Sequence, residues 1–145
     1  MRYWDASGLV PLLVAEPASS RMRALLEDDT SMVTWAWSSV EVASAIERRA
    51  REGALDREQR RDLLHRLARL AESWHEVTDT LAVRRRAIRL LARHPLRAAD
   101  AGQLAAALLI APESGPPLAF VCCDHRLADA AEREGLHPLP PPGQD

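Results

Sequence analysis

At 145 residues the chain has the length of one domain, with enough residues to build a hydrophobic core. Its composition is 47% hydrophobic and 28% charged with a formal net charge of −2, which is typical of a soluble globular protein and gives no overall attraction for nucleic acid. All 19 basic residues are Arg, so mechanisms that need a Lys, such as P-loop phosphate binding and Schiff-base chemistry, are excluded.

The cysteines and the N-terminal segment favour a cytoplasmic protein. Cys122 and Cys123 are neighbours and cannot form an ordinary unstrained disulfide, which fits a reducing compartment. The segment "MRYWDASGLVPLLVAEP" has an apolar run that is too short to span a membrane, and it lacks the basic start of a signal peptide. We therefore expect cytoplasmic localisation and no membrane partner.

Strand and helix patterns alternate along the first half of the chain. The segment "MRYWD" predicts a strand that ends near Asp5, and a short helix is expected at about residues 8–15. The next elements expected are a helix in "PASSRMRALLEDD" capped by Ser19 or Ser20, a strand in "SMVTW", and a helix in "VEVASAIERRAREG" capped by Ser38 and Ser39 and ended by Gly53.

The second half continues the alternation. The elements expected are a helix capped by Asp56, a short strand in "WHEV", a helix from Thr78 to Arg93 that Pro95 ends, a helix around Ala101 to Leu108, a strand in "LAFVCC", and a last helix ended by Gly135. The continuous apolar run "LAFVCC" is typical of a strand buried on both faces. The segment "HPLPPPGQD" predicts polyproline II or irregular structure, so we assign residues 1–139 to a single domain and residues 140–145 to a Pro-rich C-terminal tail.

Strands that alternate with helices predict an α/β domain whose central sheet is mainly parallel. In such sheets, ligands bind outside the carboxyl ends of the strands. Polar residues at that edge are therefore the first candidates for a functional site.

Four acidic residues are expected at this edge. Asp5 follows the first strand and Asp124 follows "LAFVCC", while Glu41 and Asp100 lie in the first turns of two helices. Each one alone is explained by an ordinary role as a turn former, a cap or a complement to the helix dipole. Together they repel one another unless a cation joins them, and carboxylate oxygens suit Mg²⁺ or Mn²⁺. Such an ion activates water and stabilises charge on a phosphodiester.

Four segments of the chain resemble the four motifs of PIN-domain proteins. They are "MRYWDASGLV", "SSVEVASAI", "LRAADAGQLAAAL" and "FVCCDHRLADAAEREGL", in the family's order across residues 1–137. The length resembles that of the VapC-type toxins of type II toxin–antitoxin systems. The resemblance implies a PIN-like three-layer α/β/α sandwich with a mainly parallel central sheet.

The resemblance also implies a site and an activity. The residues that match the family's metal-binding, catalytic acids are, in chain order, Asp5, Glu41, Asp100 and Asp124. Ser7 matches a hydroxyl residue that commonly supports the metal site. The implied activity is Mg²⁺- or Mn²⁺-dependent endoribonucleolytic cleavage of RNA by metal-activated water.

The implied partners are an RNA substrate, a cognate antitoxin whose C-terminal segment covers the acidic groove, and a second copy of the chain in a homodimer. Arg126 follows Asp124 closely and is a candidate RNA-binding residue. The chain departs from the family at Cys122, where many members have a Ser or Thr that is a better hydrogen-bond partner than a thiol.

Two other interpretations stay open at this point. A catalytically weak RNA- or protein-binding module on the same fold is compatible with the negative net charge and with Cys122. A phospho-receiver or haloacid-dehalogenase-like domain also has Asp residues at strand ends, but both normally need a Lys that this chain lacks. The five His and two Cys show no zinc-binding spacing.

Overall fold

The computed structural model describes residues 1–141, and it places a five-stranded parallel sheet between two layers of helices. In chain order, the elements are β1 (Arg2–Trp4), α1 (Ala6–Leu13), α2 (Ser19–Asp28), β2 (Met32–Trp35), α3 (Ser38–Arg51), α4 (Arg57–Ala71), β3 (His75–Val77), α5 (Thr80–Leu91), α6 (Ala98–Ile110), β4 (Ala119–Val121), α7 (His125–Arg133) and β5 (His137–Leu139).

The order of the strands across the sheet is β3-β2-β1-β4-β5, and all four strand pairs are parallel. The first three strands extend the sheet from β1 at its centre to β3 at one edge. The chain then returns to the centre, and β4 and β5 extend the sheet to the other edge. The point where the strand order reverses therefore lies between β1 and β4. In open parallel sheets this switch point opens a crevice at the carboxyl ends of the strands, where ligands bind.

Alternate side chains of the strands enter two separate hydrophobic cores. Tyr3 and Phe120 pack with the apolar faces of α5, α6 and α7, whereas Trp4 and Val121 pack with those of α1 to α4. This is the period of two that a strand buried on both faces imposes. The predicted three-layer α/β/α sandwich is confirmed, and its sheet is entirely parallel.

Within residues 1–141, no helix combines the length and the apolar character that crossing a membrane requires.

The prediction of polyproline II or irregular structure from His137 onward was wrong for its first residues, which form β5. β5 lies at the edge of the sheet and pairs only with β4, so Pro138 can occupy it without breaking a ladder of hydrogen bonds. The amide of His137 donates to the carbonyl of Leu118 at 2.9 Å, and Leu139 accepts from Cys122 at 3.1 Å. Of the predicted tail, residues 142–145 lie outside the described residues.

Three predicted helix caps also differ. Asp79, not Thr78, caps α5, and its side chain accepts from the amide of Ala82. Neither α2 nor α3 has a side-chain cap, because their N-cap residues are Ala18 and Trp37 and the predicted serines lie inside the helices. The hydroxyl of Ser19 bonds to the backbone of Val14 and Glu16 in the preceding loop, whereas that of Ser38 accepts from Gln103 of α6.

Helix α1 approaches β4 closely at Gly8. A Cβ at this position would stand 3.0 Å from the carbonyl oxygen of Val121, which is tighter than side chains normally allow. The same carbonyl accepts the amide of Asp5 at 2.9 Å. Gly8 therefore allows the approach that places Asp5 beside the end of β4.

Gly8→Val should lower the free energy of unfolding by about 1–3 kcal/mol, because the added side chain forces the backbone of β4 to move. Urea unfolding measures the change. Ser20→Val is the matched control, since it introduces the same side chain on the exposed surface of α2. Equal losses in the two variants would contradict the close packing at Gly8.

Candidate active site

Asp5 combines a structural role with a position at the switch point. It follows β1 and is the N-cap of α1, with its Oδ2 accepting the amide of Ser7 at 2.9 Å. The hydroxyl of Ser7 also donates to Oδ2 and accepts the amide of Cys123 at 2.8 Å. Ser7 thus ties the first acid to the chain just beyond β4, and Asp5 is only 4% exposed.

Glu41 enters the site from the first turn of α3. Its Oε1 accepts a hydrogen bond of 2.8 Å from Nε2 of Gln103, a fully buried residue of α6. α6 therefore provides both this buried amide and, one turn earlier, the third acid, Asp100.

Asp100 and Asp124 both lie at helix N-termini. Asp100 is in the first turn of α6, where its Oδ2 accepts the amide of Arg97 at 3.3 Å. Asp124 is the N-cap of α7, and its Oδ1 accepts the amide of Leu127 at 2.9 Å. As with Asp5, the ordinary capping role and a place in the acidic cluster coexist in the same side chain.

The four acids act on one another electrostatically. Burial raises the pKa of Asp5 to about 6 against the opposing hydrogen bonds of Ser7, and the charge of Asp100 adds to the rise. Burial raises the pKa of Glu41 to about 7, opposed by the Gln103 hydrogen bond and reinforced by Asp5 and Asp100.

The pKa of Asp100 is raised by burial as well, and the charge of Asp124 adds to that rise. Arg97 and Arg126 oppose it, which places both cations close to this acid. The structure therefore gathers all four predicted acids at one edge of the sheet, with Ser7 and Arg126 beside them.

The donors of this cluster are all oxygen atoms, which fits Mg²⁺ or Mn²⁺ better than a softer ion. Burial and mutual charge raise the pKa values of three of these carboxyls, and a bound cation would lower them. No three His, Cys, Asp or Glu side chains within residues 1–141 are arranged closely enough to enclose one ion by themselves. An ion bound among these acids would therefore need water molecules to complete its coordination shell, as Mg²⁺ usually does.

The two cysteines stand on opposite sides of the sheet. Cys122 packs into the core beneath α5 to α7, and Cys123 packs toward α1 to α4. The thiol of Cys122 lies 3.7 Å from the backbone carbonyl of Asp124 and so does not support its carboxylate. Burial raises the pKa of Cys123 to about 11, and that of Cys122 further, so neither is an activated thiolate.

A partly enclosed cavity of about 340 Å³ adjoins Asp124 without including any of the four acids. Its walls come from the loop after α1, from α2, from the residues on either side of Asp124, and from Pro140 and Pro141.

Sequence reasoning missed Gln103 and Arg97. A signal for Gln103 exists in the sequence, because it is the one polar side chain in "GQLAAALLI" and lies three residues after Asp100, on the same helix face. Arg97 is the residue just before α6 and therefore accompanies Asp100 to the carboxyl edge.

Comparison with known proteins agrees with this geometry. The model of the PIN domain family matches residues 2–132, which include all four acids. The chain belongs to the PIN domain family.

Relatives of this PIN domain include the proteins named ribonuclease VapC45 and ribonuclease VapC49, both from Mycobacterium tuberculosis. Each is 30% identical to the chain over 138 residues, which cover 95% of this chain and 94% of the relative. The similarity thus extends across the whole PIN domain and includes every element that contributes an acid.

Without divalent cations, the stability of the domain should fall as the pH rises. In the folded state the pKa of Asp5 is raised from 3.8 to about 6, and that of Glu41 from 4.5 to about 7. The stability that the protonated carboxyls contribute is therefore fully present below the ordinary pKa values and is lost as the pH rises through the raised ones. Asp5→Asn keeps a capping oxygen and should stabilise the metal-free protein at pH 8 by on the order of 2 kcal/mol. Urea unfolding in EDTA across this pH range measures the effect.

Asp56→Asn is the matched control, because Asp56 caps α4 in the same manner but is exposed. It should leave the dependence of stability on pH as in the wild type. An Asp5→Asn variant that keeps the wild-type pH dependence would show that burial of Asp5 does not strain the folded state.

Proposed function

We propose that this PIN domain is a Mg²⁺- or Mn²⁺-dependent endoribonuclease and the toxin component of a toxin–antitoxin module. The observation that carries the proposal is the placement of four acids at the switch point, two of them after strands and two in first helical turns. The similarity to two proteins named as VapC ribonucleases supports RNA as the substrate class.

Asp5, Glu41, Asp100 and Asp124 would hold the cation. Hydrogen bonds anchor each of them through one oxygen, which restricts the carboxylate and leaves its second oxygen to bind a cation. When bound, the ion supplies Lewis-acid activation of water and neutralises charge that develops on the phosphodiester. Ser7 keeps the carboxylate of Asp5 from rotating and ties it to β4.

Positive groups around the acids suit the phosphates of an RNA chain. Arg97 and Arg126 are exposed and close enough to Asp100 to shift its pKa. The amides at the starts of α6 and α7 add the positive ends of two helix dipoles. These groups hold the scissile phosphate against the acids, whose own charge would otherwise repel it.

The proposal extends to the partners expected from the family resemblance. A cognate antitoxin would silence the enzyme by covering the acidic groove with its C-terminal segment, and the enzyme would act in the cytoplasm as a homodimer. A catalytically weak binding module is the competing interpretation, which a loss of cation dependence would favour.

Purified protein should cleave single-stranded or looped RNA with Mg²⁺ or Mn²⁺ and stop when EDTA is added. Asp5→Asn and Asp100→Asn should each reduce the cleavage rate by at least about 100-fold, because each removes a charge from the cation site. Gel assays with metal-treated and chelated samples measure this.

Asp56→Asn again serves as the control, because it removes an equivalent charge far from the acids and should retain wild-type activity. Wild-type rates of cleavage in both Asp5→Asn and Asp100→Asn would contradict the proposed mechanism. Saturable RNA binding without any cleavage would favour the binding module.

Arg126→Ala should raise the KM for RNA several-fold and flatten its dependence on salt, because one phosphate contact is lost. Arg133→Ala on the last turn of the same helix is the control, and it should change neither quantity. Equal effects from the two variants would remove Arg126 from the substrate site.

A further inference from the structure

The acid Glu41 is held by a buried polar network centred on Gln103, a residue to which the family resemblance gave no role. We propose that Gln103 is a positioning residue, which fixes the Glu41 carboxylate in the orientation that the cation site needs. The inference rests on the proposed function for its consequence in catalysis, but its structural content stands on the hydrogen bonds alone.

Gln103 uses its whole side-chain amide. Its Oε1 accepts the phenol hydroxyl of Tyr3 at 2.7 Å, while its Nε2 donates to Oε1 of Glu41 at 2.8 Å and to the hydroxyl of Ser38 at 2.9 Å. The residue is 0% exposed, so water does not replace a lost partner. Both amide hydrogens and the carbonyl oxygen are thereby engaged by three side chains, which lie on two other elements of the fold, β1 and α3.

The hydrogen bonds of the two hydroxyl groups beyond Gln103, those of Ser38 and Thr34, can run in only one direction. Thr34 lies 2.6 Å from both the backbone carbonyl of Trp4 and the hydroxyl of Ser38. A carbonyl only accepts, so the single hydrogen of Thr34 goes to Trp4, and Ser38 donates to Thr34. Ser38 is then left to accept from Gln103, which agrees with the direction of the amide.

This one-way chain decides which end of the amide faces the acid. The Ser38 hydroxyl and the Glu41 carboxylate both accept, so they require the nitrogen of Gln103 on their side, and the Tyr3 hydroxyl then donates to the oxygen on the other. A flipped amide would place its oxygen against both the Ser38 oxygen and the carboxylate of Glu41, which are acceptors in this arrangement. The network therefore presents a donor to Glu41 and leaves the second carboxylate oxygen for the site.

The network also links the second acid to the first. It begins at Glu41 on α3, passes through α6 and β2, and ends on the carbonyl of Trp4, the residue before Asp5. Outer hydrogen-bond partners of this kind orient metal ligands, and their loss typically weakens metal binding by about 10–100-fold. A buried Gln with a purely structural role would cost stability when replaced but would not shift ion affinity.

Gln103→Met separates these two outcomes, because Met has nearly the same length and shape but no hydrogen-bonding amide. The control is Leu104→Ala, which damages the adjacent buried position of α6, an apolar residue of the same core as Phe120. Mn²⁺ affinity is measured by calorimetry, stability by urea unfolding, and kcat and KM by RNA cleavage.

Gln103→Met is expected to weaken Mn²⁺ binding at least about tenfold and to lower kcat with little change in the KM for RNA. Leu104→Ala is expected to lose stability and keep wild-type Mn²⁺ affinity. Wild-type Mn²⁺ affinity in Gln103→Met, or an equal loss of affinity in both variants, would overturn the positioning role.

A measurement on the metal-free protein distinguishes failure of this inference from failure of the proposed function. In NMR spectra, both side-chain amide protons of Gln103 should exchange slowly with water, and Glu41→Ala should shift them. If these protons exchange rapidly and their chemical shifts do not change in Glu41→Ala, the positioning role is overturned, whether or not the wild type cleaves RNA. Protected protons in a protein that neither binds Mn²⁺ nor cleaves RNA would leave the positioning geometry standing and count against the proposed nuclease.

Discussion

The repulsion among Asp5, Glu41, Asp100 and Asp124 is the constraint around which the rest of the structure is arranged. Burial and mutual charge raise the pKa of three of these carboxyl groups, which is an energetic cost to the folded state. The domain tolerates that cost because two hydrophobic cores, one on each face of the sheet, hold the elements that present the acids. A strained polar site supported by well-packed layers is the expected arrangement where binding or catalysis takes place.

Local structure and function share the same side chains in this site. Asp5 and Asp124 cap helices through one oxygen, and Asp100 accepts the amide at the start of its own helix. Each cap fixes a carboxylate at the N-terminus of a helix, where the dipole favours negative charge. Glu41 does not cap its helix, so no backbone amide fixes its carboxylate. The hydrogen bond that fixes it comes instead from Gln103 of α6.

Much of this arrangement was predictable from the sequence, and what was missed has a physical reason. Alternating strand and helix patterns predicted the parallel sheet, and the ends of those patterns located the acids. The Tyr3–Gln103–Glu41 network was not predictable, because its members are 100 and 62 residues apart along the chain and only packing brings them together. β5 was missed because Pro138 suggests irregular structure, yet an edge strand with one neighbour accepts it.

We propose that a divalent cation completes the acidic cluster. Calorimetric titration of Mn²⁺ into the wild type at pH 6.5, in two buffers with different heats of ionisation, gives both affinity and proton release. Saturable binding with release of roughly one proton per ion is predicted, because carboxyls with raised pKa values must ionise to bind. Absence of saturable binding at about millimolar Mn²⁺, or binding that Asp5→Asn with Asp100→Asn leaves unchanged, would contradict the account.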